Sequence, residues 1–342
     1  MTFTAVEPTP LAADLVPTLE HTVAQLDKAR AFAREVVAEG VTKVFFIGCG
    51  GSFYSTFPAL DLMETSTTEL TAAKMTSAEL IHRKLAGLDA SSLVIASSHS
   101  GATPETLEAA QLARKAGARV AGIARSGDTP LAQVADVLFD YPSNVTVTEP
   151  KAIHFTQLAL ALLDAVGDLS DAEERWQAVA AIPAAIPAAK AAVADLGRSV
   201  ARRWSDADLV YVLGAGPNFG AANALAACYL QEMNWLHASA VHAADFFHGP
   251  FEMVGQRPVL VLVGEDQTRP IGERTVSFVN RYYDNADVLD SRDFELPGVP
   301  AAQRGLISPL VVASLTRRLL DFVAAERGHN TAARRYMYRV DY

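Results

Sequence analysis

An α/β fold with two parallel sheets, each flanked by helices, is predicted by three features of the 342-residue sequence. Short apolar runs of strand length alternate with longer amphipathic stretches, the first of these runs ends in a glycine turn, and that unit recurs in the second half. Val44 to Phe53 reads VFFIGCGGSF and Val210 to Phe219 reads VYVLGAGPNF, so Gly48 matches Gly214 and Gly50 matches Gly216. Strands that alternate with helices need right-handed crossovers, and such crossovers cover a parallel sheet on both faces.

The elements follow in chain order. A helical arm at about 18–39 occupies a first segment, 1–40. The first α/β subdomain, 41–180, carries expected strands at 43–48, 72–76, 92–97, 119–124 and 136–141. The alanine-rich stretch 178–196 contains Pro183 and Pro187 and reads as helix and linker, which sets 181–200 between the halves. The second subdomain, 201–342, carries strands at 209–214, 239–243, 258–263 and 286–290 and ends in a tail.

Composition narrows the function classes. A net charge of −10 argues against a nucleic-acid partner or an anionic membrane surface. Cys49 and Cys228 form no C-x-x-C pattern, so neither a disulfide framework nor a zinc knuckle is expected, and their pairing-free spacing suits a reducing cytoplasm. Residues 1–20 lack a basic, apolar leader pattern, and no uncharged apolar run reaches membrane length. The expectation is a soluble cytoplasmic protein with no membrane partner.

Two loops have the chemistry of a phosphate cradle. Leu93-Val94-Ile95-Ala96 leads into Ser98-His99-Ser100-Gly101-Ala102-Thr103, and Pro104 onward reads as a helix start. Hydroxyls there join unpaired amides and the positive end of the helix dipole, an arrangement that favours an anion. The same residues also serve as ordinary turn and capping groups, and the segment alone leaves both readings open. Gly48-Cys49-Gly50-Gly51-Ser52 follows the first strand in the same way. It is no dinucleotide fingerprint, because Phe53 stands where the third glycine belongs, and no Gly-Lys-Ser/Thr makes it a P-loop. Candidate phosphate-binding residues are therefore Gly50, Gly51, Ser52, Ser98, His99, Ser100 and Thr103.

Candidate proton-transfer groups lie in the second half. The run 223–235 reads as a helix that places Glu232 near its C-terminal end, where a carboxylate opposes the dipole and is a poor structural choice. His248 precedes Gly249-Pro250, a turn that exposes an imidazole. A carboxylate and an imidazole suffice to move a proton between adjacent carbons, although each residue singly also fits a surface or structural role.

The serine loop, the paired glycine turns and the Glu232…His248-Gly249-Pro250 element together resemble the sugar isomerase (SIS) family. Further support comes from Asp245 to Glu252, from Gly264-Glu265-Asp266…Arg269…Glu273-Arg274, and from the tail His329-Asn330…Arg334-Arg335-Tyr336. The nearest likeness is to fructosamine-6-phosphate (fructoselysine-6-phosphate) deglycases and to the isomerase domain of glucosamine-6-phosphate synthase. This resemblance implies two flavodoxin-like SIS subdomains, a phosphorylated sugar-amine substrate, and a homodimer or higher homo-oligomer with shared active sites. It also implies that Ser52, Ser98, Ser100 and Thr103 hold phosphate, that Glu232 is a general base and that His248 is a general acid. His99 stands where the synthases commonly have glutamine.

Lysines separate the subfamilies. The synthase domain resembled here uses one three residues before its glutamate and one in its tail, whereas this chain has Tyr229 at the first position and no lysine beyond Lys190. The expectation is therefore deglycation by Glu/His acid–base catalysis, with no metal or other cofactor. The alternatives are an aminosugar-phosphate deaminase or aldose–ketose isomerase of the same family, a non-catalytic sugar-phosphate sensor, and, least supported, a metal site built on His237, His242, Asp245 and His248.

Overall fold

The computed structural model describes residues 7–254, 257–337 and 339–341. They divide into two compact units: Ala12–Pro187 with Pro297–Leu310, and Ala188–Leu296 with the chain from Val311 onward and the N-terminal residues up to Leu11.

The first unit is built on β1 (Lys43–Gly48), β2 (Thr71–Thr76), β3 (Ser92–Ser97), β4 (Arg119–Ala124) and β5 (Val137–Asp140). All pair in parallel in the order β2-β1-β3-β4-β5. That is the flavodoxin-like order, whose direction reverses between β1 and β3. Every residue of β3 is buried, as its unbroken apolar run requires of a central strand covered on both faces. On one face Ile47, Val94, Ala96 and Val120 pack against Ala109, Ala110 and Ala113 of helix Pro104–Lys115, where small side chains let helix and sheet approach closely. On the other lies the long helix Thr148–Val166, whose Phe155 meets Phe46 edge-to-face at 5.8 Å. The opening arm forms helices Leu15–Val23 and Leu26–Ala38, which pack on Thr148–Val166.

The second unit repeats the plan with β6 (Val210–Gly214), β7 (Ala238–His242), β8 (Val259–Val263) and β9 (Ala286–Asp290), parallel in the order β7-β6-β8-β9. Its core joins Leu213, Val259, Val261 and Val263 to Phe246 and Val279. The expected pair of flavodoxin-like subdomains is thus present, the second lacking a fifth strand among the described residues. Gly50 and Gly216, matched by sequence, share a φ of +50°, and a Cβ at Gly48 or Gly214 would meet the returning chain at 2.9 or 2.8 Å. The duplication therefore extends to backbone conformation.

Two expectations require correction. The run 223–235 is not one α-helix: Asn218–Asn223 is α-helical, and Ala224–Glu232 is wound as a π-helix. The stretch 178–196 belongs to three successive helices, Ala172–Ala180, Ile182–Ala192 and Ala194–Trp204, with Pro187 inside the second. Alanine richness reports helix propensity, and it does not show where one helix gives way to the next.

Candidate active site

In the first unit the two candidate loops leave neighbouring strands at the same edge, since Gly48 is in register with Ser97. This edge is the switch point at which ligands bind open α/β sheets. After β1 the chain turns through Gly50 into the short helix Gly51–Tyr54, and Ser52 is buried. After β3, the Ser98 amide donates to Ile123 O at 3.0 Å and anchors the serine loop to the sheet. Gly101 then turns at φ +63°, a conformation that favours glycine, with Thr129 packed where a Cβ would lie.

The hydroxyls separate into two kinds. Ser100 Oγ accepts from the Ala102 amide at 3.2 Å and so stabilises its own turn. Thr103 occupies the N-cap of Pro104–Lys115, yet its side chain makes no capping bond; its Oγ1 lies 2.8 Å from Ser98 Oγ. A threonine that served only as a cap would accept from the first-turn amides, so this geometry weighs against the capping reading. The helix thus begins without a side-chain cap beside a buried serine, which suits an arriving anion.

His99 is a different case. Its ring stacks on Tyr141 at 5.8 Å, and Nδ1 lies 3.3 Å from the Tyr141 hydroxyl. Burial, with smaller contributions from Lys151 and Arg125, lowers its pKa to about 4. The imidazole is neutral at pH 7 and offers an anion a hydrogen bond without a positive charge.

The corresponding edge of the second unit is already filled. Asn218 matches Ser52 in the repeat, and its Nδ2 donates to Asp266 Oδ2 at 2.7 Å. The other carboxylate oxygen accepts from the Thr268 amide at 2.9 Å, just before helix Arg269–Tyr282. An internal carboxylate therefore sits where the first unit presents hydroxyls and amides.

Glu232 ends the π-helix and opens onto a cavity of about 590 Å³ lined by Gln231, Trp235, His237, Arg334, Arg335 and Tyr336, among others. Its Oε1 accepts from Arg334 Nη2 at 2.9 Å. Arg334 is itself held in place, because Nη1 donates to the carbonyls of Thr331 at 2.7 Å and Ala333 at 2.9 Å. Beyond Glu232 the chain turns sharply: Trp235 has φ +52°, its ring meets His329 at 4.9 Å, and the Arg335 guanidinium lies 4.2 Å above it.

His248 lies on the turn after β7, exposed as the Gly249-Pro250 sequence predicts, with the buried Phe246 just before it. It does not line the cavity beside Glu232. The two loops that carry the seven phosphate candidates thus emerge at one sheet edge, whereas His248 lies outside the lining of the cavity that Glu232 faces. Sequence reasoning missed Trp235 as a lining residue and the pairing of Arg334 with Glu232. The only signal for either was the Arg334-Arg335-Tyr336 cluster in the tail.

Comparison with known proteins agrees with this architecture. The SIS domain model matches residues 40–166. A fructosamine deglycase, FrlB, of Bacillus subtilis (strain 168) is 30% identical over 318 residues, covering 92% of this chain and 97% of the relative. A fructoselysine 6-phosphate deglycase of Escherichia coli (strain K12) is 23% identical, covering 90% and 88%. A Bacillus subtilis crystal structure described as a phosphosugar isomerase superposes with a TM-score of 0.87 at 30% identity, over 94% of this chain and 99% of the other.

Proposed function

The chain belongs to the SIS family, and on that premise we propose that it is a fructosamine-6-phosphate deglycase, cleaving a ketoamine sugar 6-phosphate to glucose 6-phosphate and an amine or amino acid. The observation that carries this reading is Glu232, a carboxylate facing a cavity of about 590 Å³ in a chain with no lysine after Lys190. Carboxylate chemistry acts on a substrate that brings its own nitrogen, whereas a Schiff-base route needs an enzyme amine. Near full-length similarity to a fructosamine deglycase supports the same choice.

In this reading Ser52, Ser98, Ser100 and Thr103, with the Gly50 and Gly51 backbone, bind the phosphate, and neutral His99 adds a hydrogen bond. Arg334 engages Glu232 Oε1, and Oε2 takes a proton from C1 of the open-chain ketoamine. His248 protonates O2 as the enaminol forms. Return of a proton to C2 gives a C1 imine, and water adds to it, releasing glucose 6-phosphate and the amine. The exposed position of His248 suits a group that completes its site on a neighbouring subunit, so the working form is a homodimer or larger homo-oligomer in the cytoplasm.

The decisive experiment follows C1. Incubation in deuterated water with a panel of fructosamine 6-phosphates should yield glucose 6-phosphate and exchange the C1 hydrogen. Glu232→Gln should lower turnover by about 10²- to 10⁴-fold and abolish the exchange, and His248→Asn should also slow turnover. Wild-type rates in Glu232→Gln would rule the mechanism out.

A further inference from the structure

Arg269, Arg274, Arg334, Arg335 and Tyr336 of the second half are candidates for contact with a carboxylate on the leaving amine. Arg269 is committed to Asp290, Glu273 and the Gly264 carbonyl. Arg274 lies over the Phe247 ring at 4.1 Å, away from the cavity lining, and Arg334 is paired with Glu232. Arg335 differs from all of these. It lines the cavity, is exposed, and lies over the Trp235 ring with no ion pair to a carboxylate among the described residues.

The charge of the cavity follows from these pairings. Glu232 and Arg334 offset each other, which leaves Arg335 as an uncompensated guanidinium in a chain whose net charge is −10. Arg334 Nε, in the same wall, is buried with no hydrogen-bond partner among the described residues. Trp235 is fixed in a left-handed backbone conformation that is unfavourable for a tryptophan and persists only where its surroundings hold it. Its indole supports the guanidinium from one side, so the donor edge of Arg335 is presented in one plane. A planar, supported guanidinium is suited to bidentate recognition of a carboxylate. A cavity of about 590 Å³ also lies within the usual size range for small-molecule sites.

We propose that this cavity receives the amine portion of the substrate and that Arg335, supported by Trp235, binds a carboxylate on it. This rests on the deglycase reading for the identity of the sugar portion. The preferred substrates are then amino-acid adducts, and adducts of simple amines are the poorer ones. Arg335 is a specificity-determining residue, and Glu232 beside it performs the chemistry.

The test uses matched pairs of fructosamine 6-phosphates that differ only in the carboxylate: the leucine and 3-methylbutylamine adducts, and the lysine and pentane-1,5-diamine adducts. For each pair, kcat/KM is measured by glucose 6-phosphate release and Kd by calorimetry. The wild-type protein should favour the carboxylate member by about 10- to 100-fold, the range expected of a charge-assisted pair. Arg335→Gln should collapse that ratio toward one, and Arg335→Lys should keep part of it. A wild-type ratio near one, or a ratio retained in Arg335→Gln, overturns the assignment. Arg335-dependent discrimination in Kd without glucose 6-phosphate release would uphold the pocket and reject deglycation. Release without discrimination would do the reverse.

Discussion

Arg334 Nη2 donates to Glu232 Oε1 at 2.9 Å across 102 residues of sequence, and two backbone carbonyls hold the same guanidinium in place. The carboxylate at the end of the π-helix is therefore oriented by the tail. One oxygen is engaged, and in the proposed mechanism the other takes the C1 proton.

Removal of that orienting contact should impair chemistry more than folding. Arg334→Gln is expected to lower kcat by about 10- to 100-fold, corresponding to one charge-assisted hydrogen bond, and Arg334→Lys to recover part of the loss. The pair is partly exposed, so thermal unfolding should shift little. An unchanged kcat in Arg334→Gln would show that the tail plays no part in catalysis.

The hydroxyl pair of the serine loop should act on binding. Ser98→Ala and Thr103→Ala each remove a group able to donate to phosphate, at a cost of about 1.5–3 kcal/mol in substrate affinity. Because the two hydroxyls lie 2.8 Å apart, the double variant should lose less than the sum of the single losses. A KM unchanged in both single variants would remove this loop from the site.

One buried and one half-buried histidine should make the protein acid-sensitive. His154 is fully buried, Nε2 donates to the Asp140 carbonyl at 3.0 Å, and burial lowers its pKa to about 4; His99 is lowered to about 4 as well. The unfolded chain, with histidines near 6.5, binds more protons between the two values, so stability is full above about pH 6.5 and declines as the pH falls toward 4. His154 accounts for about 3 kcal/mol of this loss. Denaturant titrations at several pH values should show it, and His154→Gln should flatten the slope in that window.

Glycine substitutions should separate backbone strain from steric clash. Gly50 has φ +50° and ψ −124°, outside the small positive-φ region open to L-residues, with open space where a Cβ would lie, so Gly50→Ala should cost about 1–3 kcal/mol of stability from backbone strain alone. At Gly101, φ is +63° and a Cβ would lie 2.4 Å from Thr129 Cβ, so Gly101→Ala should cost about 2–4 kcal/mol. Equal unfolding midpoints for the two variants would contradict this difference.

The amino-acid sequence by itself determined the strands to within about one residue at each end, because each is a short, mostly apolar run closed by a turn signal. It also set both candidate loops at the C-terminal ends of strands, and those ends share one sheet edge because the strands pair in parallel. Tertiary structure alone decided the surroundings of Glu232. The π-winding of Ala224–Glu232 runs through residues whose local pattern is that of any amphipathic helix. The ion pair to Arg334, and the placement of Arg335 over Trp235, join segments about 100 residues apart by packing that no periodicity encodes. The same holds for Asp266, which reads as a loop residue in sequence and becomes the partner of Asn218 only when β6 and β8 lie side by side.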